Sequence, residues 1–560
     1  ALPGVLGIEI VRHYNSAQAG TDAPLGLLGR GWRLSYETDL HVTGAQLHIV
    51  QADGTRLVFA PDPARAGHYR HPDSARGWIS ASARAGAGPN VAIHRWTWPD
   101  GRTLDFDARG KLVQIRMPTG EFLSLARGLD GELVKVTDPQ GRSLTFEYAP
   151  RSSRGFRGVV AITSPLGRFT YAHQNERALP GLSNLVAASH PDGTVRRYHY
   201  GADAGEAAPA WPHHLTGTSL TAPAAAPTGA EAGERRLSTY AYDRSGRAVM
   251  SVRGTPRSLD DSGQPRPGTG IEQVDLEFAA PDRTVLTNSL GQRTTYRHTR
   301  IHGEPRLLEA IGPGCARCGE TNVRYQYDER GRLVRITRLD PAGQPVAATT
   351  LKRDPAGRVL RRSLQPFVGG KPLPERLLAR YEYADGSPRP VLIARPSVVP
   401  GREHRLQLAY NDAGQVTRMV ESGFSPLDAD GKPIDAPSRA APIERTSTFA
   451  YTRIHGRSLL TATDGPLANG PEGSPADSDI STFDWDAAGN HFTTLTLPGG
   501  RRSTLEHDPT TGMLKGVRND EGFGTRYTYN LRQQPTKISF EGPGQTPAQT
   551  QHFEYDAIGR

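Results

Sequence analysis

The chain is poor in cysteine and lysine, and it has no long apolar run. No window reaches the roughly 18 consecutive apolar residues of a membrane-spanning helix, so none of these residues is expected to span a membrane as a helix. Its two cysteines, Cys315 and Cys318, lie in Gly-Pro-Gly-Cys-Ala-Arg-Cys-Gly, 312–319. A zinc site needs about four ligands and one Cys-x-x-Cys supplies two. The nearest histidines, His298 and His302, have helical spacing but sit in a strand-like segment. A thioredoxin-like motif would need a βαβ context, which is missing. The foremost reading is a structural turn with free or paired thiols, with redox behaviour and a metal as alternatives.

Only seven of the 67 basic residues are lysine; the other 60 are arginine. A net charge of +9 and a pI near 9.5 would suit nucleic acid. The arginines, however, are spread evenly, often just after a turn glycine, as at Arg142, Arg247, Arg332 and Arg358. A nucleic-acid site would cluster them, so no specific nucleic-acid partner is expected. Catalytic signatures are missing too: there is no Gly-x-Ser-x-Gly, His-Glu-x-x-His or phosphate loop. Leu-Asp-Ala-Asp-Gly-Lys-Pro, 427–433, starts like a calcium loop, but its twelfth position is Pro437 rather than Glu. The pairs His213–His214 and Asp260–Asp261 have no evident partners. A glycosidase carboxylate pair depends on spacing in space, which sequence does not give. With so many aspartates in turns, a turn role is the default for each. No catalytic residue, cofactor or metal is expected.

What the chain does have is turns. Gly and Pro make up 107 of 560 residues, below the roughly 25–30% that marks disorder. Residues 325–332 read Tyr-Gln-Tyr-Asp-Glu-Arg-Gly-Arg. Tyr325 and Tyr327 share one face of an extended chain with Val323. Asp328 starts a turn in which its carboxylate accepts backbone N–H groups, and Gly331 supplies φ > 0. Leu333, Val334 and Ile336 then resume the strand, so 323–337 predicts a β-hairpin. Copies recur with Tyr240, Tyr242, Asp243 and Gly246; Asp354, Gly357; Asp486, Gly489; Tyr527, Tyr529; and Tyr555, Asp556, Gly559. Marked by the residue before each turn, the ladder runs Phe106, Arg127, Tyr148, Tyr171, Tyr200, Tyr242, Phe278, Tyr296, Tyr327, Arg353, Tyr383, Tyr410, Trp485, His507, Tyr529, Tyr555. A longer echo links 296–308 to 449–460. Recurrence over most of a chain marks a repeat architecture.

Residues 1–100 differ, with Gly-rich corners and Trp32, Trp78, Trp96 and Trp98. They are read as an opening β domain, with the ladder occupying 101–560. Polar stretches at 202–235, 255–271, 423–446 and 464–480 read as surface loops. Only 374–380 suggests a short helical turn. A lone hairpin is marginal in water, so successive hairpins should pair edge to edge. A sheet that long must twist and coil. The expected fold is all-β: one long antiparallel sheet coiling into a spiral or shell.

The recurring Tyr-x-Tyr-Asp-x-x-Gly-Arg resembles the YD repeat of the RHS family. Val-Arg-His-Tyr-Asn-Ser (11–16) and 28–40 resemble the domain that precedes those repeats in bacterial RHS proteins. The resemblance covers essentially the whole chain. It implies a hollow β-cocoon and, in many members, a polymorphic toxin whose shell encapsulates a C-terminal toxin domain. It also implies a secreted effector, often delivered by type VI secretion, with spike proteins, a chaperone and an immunity protein as partners. In the family, self-cleavage is signalled by an Asp-Pro-x-Gly-Leu core after the repeats. Here Asp138, Asp340 and Asp354 begin Asp-Pro-x-Gly without that Leu and lie mid-ladder, so no protease role is transferred to them. Ala1 follows no initiator Met or signal segment, and Arg560 falls inside a turn phrase. The expectation is a truncated piece of a longer protein, with any toxin or self-cleavage beyond Arg560.

Three functions compete: a structural shell segment, a carbohydrate-binding cell-surface repeat protein, and an enzyme with an unrecognised site. Shell aromatics should be buried between hairpins, whereas sugar-binding aromatics should line an exposed groove. A perturbed carboxylate pair in a cleft would favour the enzyme.

Overall fold

A computed structural model describes residues 1–560 except 21, 82–89, 151–155, 175–182, 202–210, 222–232, 257–269, 316, 429, 435, 468–478, 545–546, 557 and 560. Asp260 and Asp261 lie outside the described residues, as do parts of the four polar stretches. Among the described residues there is no α-helix, only short 3₁₀ turns such as Ser16–Gln18 and Ser74–Arg76. No helix is long and apolar enough to cross a membrane.

The expected all-β fold is present. Forty strands form one antiparallel sheet in which each strand pairs with the next in sequence, except that Val359–Val368 pairs both with the two-residue strand Lys371–Pro372 and, past it, with Arg376–Tyr383. The sheet begins at Asp39–Thr43 and ends at Pro547–His552. A separate ribbon pairs Arg12–Tyr14 with Trp32–Leu34. The pairing runs across residue 100 without interruption, from His94–Thr97 to Thr103–Phe106. Near its start the sheet curls tightly: the Leu40 amide donates to the Gly110 carbonyl, and Asp39 bridges Lys111. The sheet as a whole is not closed. Its last strand pairs only with Pro535–Glu541 among the described residues.

The predicted helical turn at 374–380 is instead strand. Arg376–Tyr383 pairs on both sides, with Val359–Val368 and Pro390–Pro396. The local helix formers there are overridden by two neighbouring strands.

The main apolar core lies within the first 215 residues. Phe59, Phe106, Ile49, Leu28, Leu133, Leu185 and Trp96 are at most 1% exposed. Alternate residues of strands such as Arg56–Pro61 and Phe122–Arg127 point into this core, the period expected of a sheet with one covered face. From about 234 onward most strand residues are only half-buried.

Candidate functional site: a stitched wall and its seam

The repeat phrase builds the same local structure each time. In the type example, Val323–Tyr327 pairs with Leu333–Leu339, and the register shifts by one between Gln326 and Tyr327. This bulge precedes a four-residue turn closed by Gly331 N–H to Asp328 O at 2.9 Å. The Asp328 carboxylate accepts from the amides of Arg330 and Arg332, and its second oxygen accepts Arg332 Nε at 2.7 Å. Burial pushes the Asp328 carboxyl up, but the Arg332 amide and guanidinium outweigh it and hold it below the usual range. Asp243 with Arg247 and Asp354 with Arg358 repeat the arrangement, as does Asp138 with Arg142. At Asp486 the loop is one residue longer, and the carboxylate accepts from Asn490 and His491 amides. Asp556 accepts from Ile558 N–H. Gly331 has φ 75°, as the turn requires, and Gly246, Gly357, Gly489 and Gly559 share that region.

At three turns that start with Asn rather than Asp, the partner four residues on is Gln. Asn288, Asn411 and Asn530 donate Nδ2–H to Gln292, Gln415 and Gln534. In these turns a charged acceptor meets a cation and a neutral amide meets a neutral amide, whereas Asp340 has Gln344 and Asn519 has Phe523 at that place.

The residue after the bulge stitches one hairpin to the one before it. Tyr327 Oη donates to Leu307 O at 2.9 Å. Tyr148, Tyr200, Tyr242, Tyr383, Tyr410, Tyr529 and Tyr555 do likewise to Leu133, Leu185, Leu215, Val359, Pro390, Leu514 and Pro535. At three ladder positions that are not Tyr, another N–H of sufficient reach takes over. Arg127 donates to Leu112 O, Arg353 to Leu333 O and Trp485 to Leu460 O. The acceptor is the residue that faces the previous ladder position across its own hairpin: Leu333 faces Tyr327, and Arg353 donates to Leu333. The hydrogen bonds therefore form runs of a spine along the ribbon, as from Tyr327 through Arg353, Tyr383 and Tyr410. Burial raises the Tyr148, Tyr242 and Tyr327 hydroxyls, so they stay protonated donors.

Tyr240, Tyr325 and Tyr527 stand two residues before the rung and lie on the same face of their strands. Tyr296 is mid-strand rather than before a turn, and Tyr171 and Phe278 are each two residues short of their strand ends. Sequence reasoning missed Tyr451, which follows a bulge and donates to Val416 O. Its strand runs on to the turn Ile454-His455-Gly456, without the Asp-x-x-Gly signal. The expected echo is present, since His302 and His455 both have φ near 50° in matching turns.

A second set of contacts joins distant parts of the ribbon. Arg76 Nη2 donates to Glu304 at 2.6 Å, and Ser74 Oγ to Ala356 O. Arg389 donates to Asp100 O, and Ser458 N–H to Thr119 O. Gln140 and Arg142 donate to Asn490 O and Thr511 O, and Arg532 pairs with Asp192. The partners are 228 to 369 residues apart and advance together along the chain. The ribbon coils, and turns on the edge of one wrap meet turns of a later wrap along a seam. Arg142 also donates to Pro3 O, pinning the N-terminal segment there.

Cys315 and Cys318 are disulfide-bonded. His298 lies in a strand and His302 in a turn. Among the described residues no group of three or more His, Cys, Asp or Glu could hold a metal. Asp428 caps an ordinary turn, accepting from Asp430 and Lys432 amides. His213 and His214 are buried; His213 Nδ1 lies 2.9 Å from Asn184 Oδ1.

A family model described as "Domain of unknown function (DUF6531)" matches residues 1–59. "Double-stranded DNA deaminase toxin A" of Burkholderia cenocepacia (strain H111) is 28% identical over 173 residues, covering 30% of this chain and 10% of the relative. "Probable deoxyribonuclease RhsB" of Dickeya dadantii (strain 3937) is 26% identical over 365 residues, 63% of this chain and 20% of the relative. The chain thus spans a tenth to a fifth of the length of these curated relatives. Among solved structures, the pore of the Photorhabdus luminescens Tc holotoxin covers 91% of this chain and 26% of its own, with 14% identity and a TM-score of 0.37.

Proposed function

We propose that this chain, which belongs to the RHS/YD-repeat family, is a structural shell segment of a secreted bacterial toxin-delivery protein. Its role is to wall in a toxin domain that lies outside these residues. The observation that carries this reading is the seam: contacts such as Arg142 with Thr511 and Arg532 with Asp192 make the ribbon overlap itself. A ribbon that stacks its own wraps is suited to enclosing a space. The spine supports the same reading, because eight of the ladder tyrosines spend their hydroxyls on the preceding hairpin. A carbohydrate-binding repeat would instead present them along an open groove. The large exposed aromatics, Trp78, Phe122, Phe523, Phe540 and Phe553, are scattered along the sequence.

On this reading the partners are the protein's own C-terminal toxin as cargo and, for export, spike proteins, a chaperone and an immunity protein. We assign no catalysis to residues 1–560. The DNA-directed activities in the relatives' names belong to whole proteins of which this chain matches a small part. Expression of residues 1–560 in the cytoplasm of a sensitive bacterium should leave growth unchanged; arrest would place an activity inside the wall. A small reporter domain fused after residue 560 should resist added protease while a flexible tag on residue 1 is removed. Equal cleavage of both would count against encapsulation.

A further inference from the structure

The wall's only two cysteines are placed for chemistry rather than for stability. A disulfide stabilises mainly by shortening loops in the unfolded chain, and the effect grows with loop length. Cys315 and Cys318 are three residues apart, so their ring removes little entropy. Both are half-buried on a turn at the ribbon edge, and Arg317 between them is exposed. Arg317 lines a cavity of about 760 Å³ together with Arg196, Arg253, Arg532 and the single acid Glu272. Glu272 pairs with Arg253, Asp192 with Arg532, and Glu320, two residues past Cys318, with Arg338, so the positive charge left over is that of Arg196 across the cavity and of Arg317 in the same turn as the two sulfurs. Such surroundings favour the thiolate over the thiol and speed exchange.

The turn is also mechanically connected. Gly314 N–H donates to Thr294 Oγ1, and Asn288 Nδ2 donates to Gly314 O, both at 2.7 Å. Gly312 N–H donates to Asn322 Oδ1. The turn thereby bolts itself to the neighbouring turn at 288–291. It joins Glu304–Ile311 to Val323–Tyr327, a pairing with only two residue pairs in register.

We propose that Cys315–Cys318 is a thiol–disulfide exchange site for a thioredoxin-like protein dithiol, and that its reduction loosens this point of the wall. A thiolate of the dithiol attacks one sulfur, forming a mixed disulfide and expelling the other cysteine as thiolate. The second thiol of the dithiol loses its proton and attacks the mixed disulfide. This leaves the partner oxidised and the second cysteine free. Two electrons pass to the wall, and the two protons given up by the dithiol end on Cys315 and Cys318.

The test uses residues 1–560 under native conditions with reduced thioredoxin as the probe, reading alkylation at each cysteine and amide exchange along the chain. Both cysteines should become alkylated without denaturant. Exchange over 310–324 should then rise about fivefold or more, with the first 215 residues unchanged. Arg317→Gln should slow the reduction severalfold. Cysteines that react only after unfolding would overturn the proposal, as would a reduced chain with unchanged exchange over 310–324. An unchanged rate in Arg317→Gln would overturn the electrostatic part. A Cys315→Ser/Cys318→Ser chain should show the loosened pattern without reductant, which separates loss of the bond from any side reaction of the probe.

Discussion

The first 215 residues and the ribbon from 234 onward use the same hairpin, yet they are held together differently. In the first region the sheet is backed by the N-terminal segment and buries Phe59, Trp96 and Phe106 almost completely. Tyr200 is 1% exposed there, and its hydroxyl both accepts from Trp32 Nε1 and donates to Leu185 O. In the later ribbon Tyr327 makes the same rung bond while half-buried. Apolar burial dominates the first region. In the second, side chain–backbone bonds, turn pairs and cross-strand ion pairs such as Arg380–Glu403 and Arg526–Glu541 carry more of the load. Those ion pairs are partly exposed, so each adds little, about 0–1 kcal/mol. A repeat can therefore serve either as a core or as a thin wall, depending on what lies against its face.

The sharpest break of that contrast is a core truncation. Phe59→Ala should cost about 3–5 kcal/mol by lost burial and a cavity. It should raise amide exchange across the first 215 residues. Comparable loosening beyond 300 would mean that the two regions fold as one unit. The same substitution in both regions comes next. Tyr200→Phe leaves Trp32 Nε1 and Leu185 O without their partner in a dry site and should cost about 1–3 kcal/mol; Tyr327→Phe should cost about 0.5–1.5 kcal/mol. Equal effects in local exchange would remove the distinction between core and wall.

How far the sequence reveals this depends on distance along the chain. The turn was readable because Asp328, Gly331 and Arg332 act on one another within five residues. Hairpin order followed from it, and so did the coiling of a sheet this long. The rung bond was not readable, since its acceptor lies 15 to 35 residues back and alternation marks Tyr only as apolar. Alternation also does not show where a strand ends, so Tyr171 and Tyr296 fit the ladder pattern although neither stands before a turn. The seam partners share no local pattern at all; only the coiled ribbon brings Asp192 to Arg532.

Acid should separate the regions by window. Burial lowers His173, His190 and His213, all in the first region, to about 4. Between that value and an unfolded value near 6.5, the unfolded chain binds more protons. Stability is therefore intact above about 6.5 and falls as pH drops toward 4. Glu37, pushed up to about 7 mainly by burial, acts oppositely over much of that range, one group against three. The wall's Asp328 and Asp354 are held below the ordinary carboxylate range, so their contribution is lost only at still lower pH. Exchange in the first region should rise between pH 6.5 and 4 while that of 323–360 stays flat. The reverse order would contradict these assignments.

Glycine gives a smaller, graded effect. Gly331→Ala must hold φ 75° and brings a Cβ to 3.3 Å from Ile301 Cγ2, whereas Gly343→Ala, at φ 79°, meets nothing within 4 Å. Both should destabilise, by about 1 kcal/mol from backbone strain, with Gly331→Ala the larger by melting temperature.

The smallest effect is the most specific to the wall. In Asp328→Asn the Oδ1 acceptor for the Arg330 and Arg332 amides survives, so the turn itself should persist. What is lost is the charge that faces Arg332 Nε, a charge-assisted bond in a half-buried pair. That loss should cost about 0.2–1 kcal/mol. The chain already contains the matched neutral solution three times, in Asn288–Gln292, Asn411–Gln415 and Asn530–Gln534. Adding Arg332→Gln to Asp328→Asn should therefore recover most of the loss, while Arg332→Gln alone leaves a carboxylate facing a neutral amide and should not be neutral. A double-mutant cycle read by exchange across 325–336 measures this directly, since residues in contact reveal their coupling as non-additivity. Additive costs would mean that the side-chain pair contributes nothing and that the two backbone amides on Asp328 hold the turn alone.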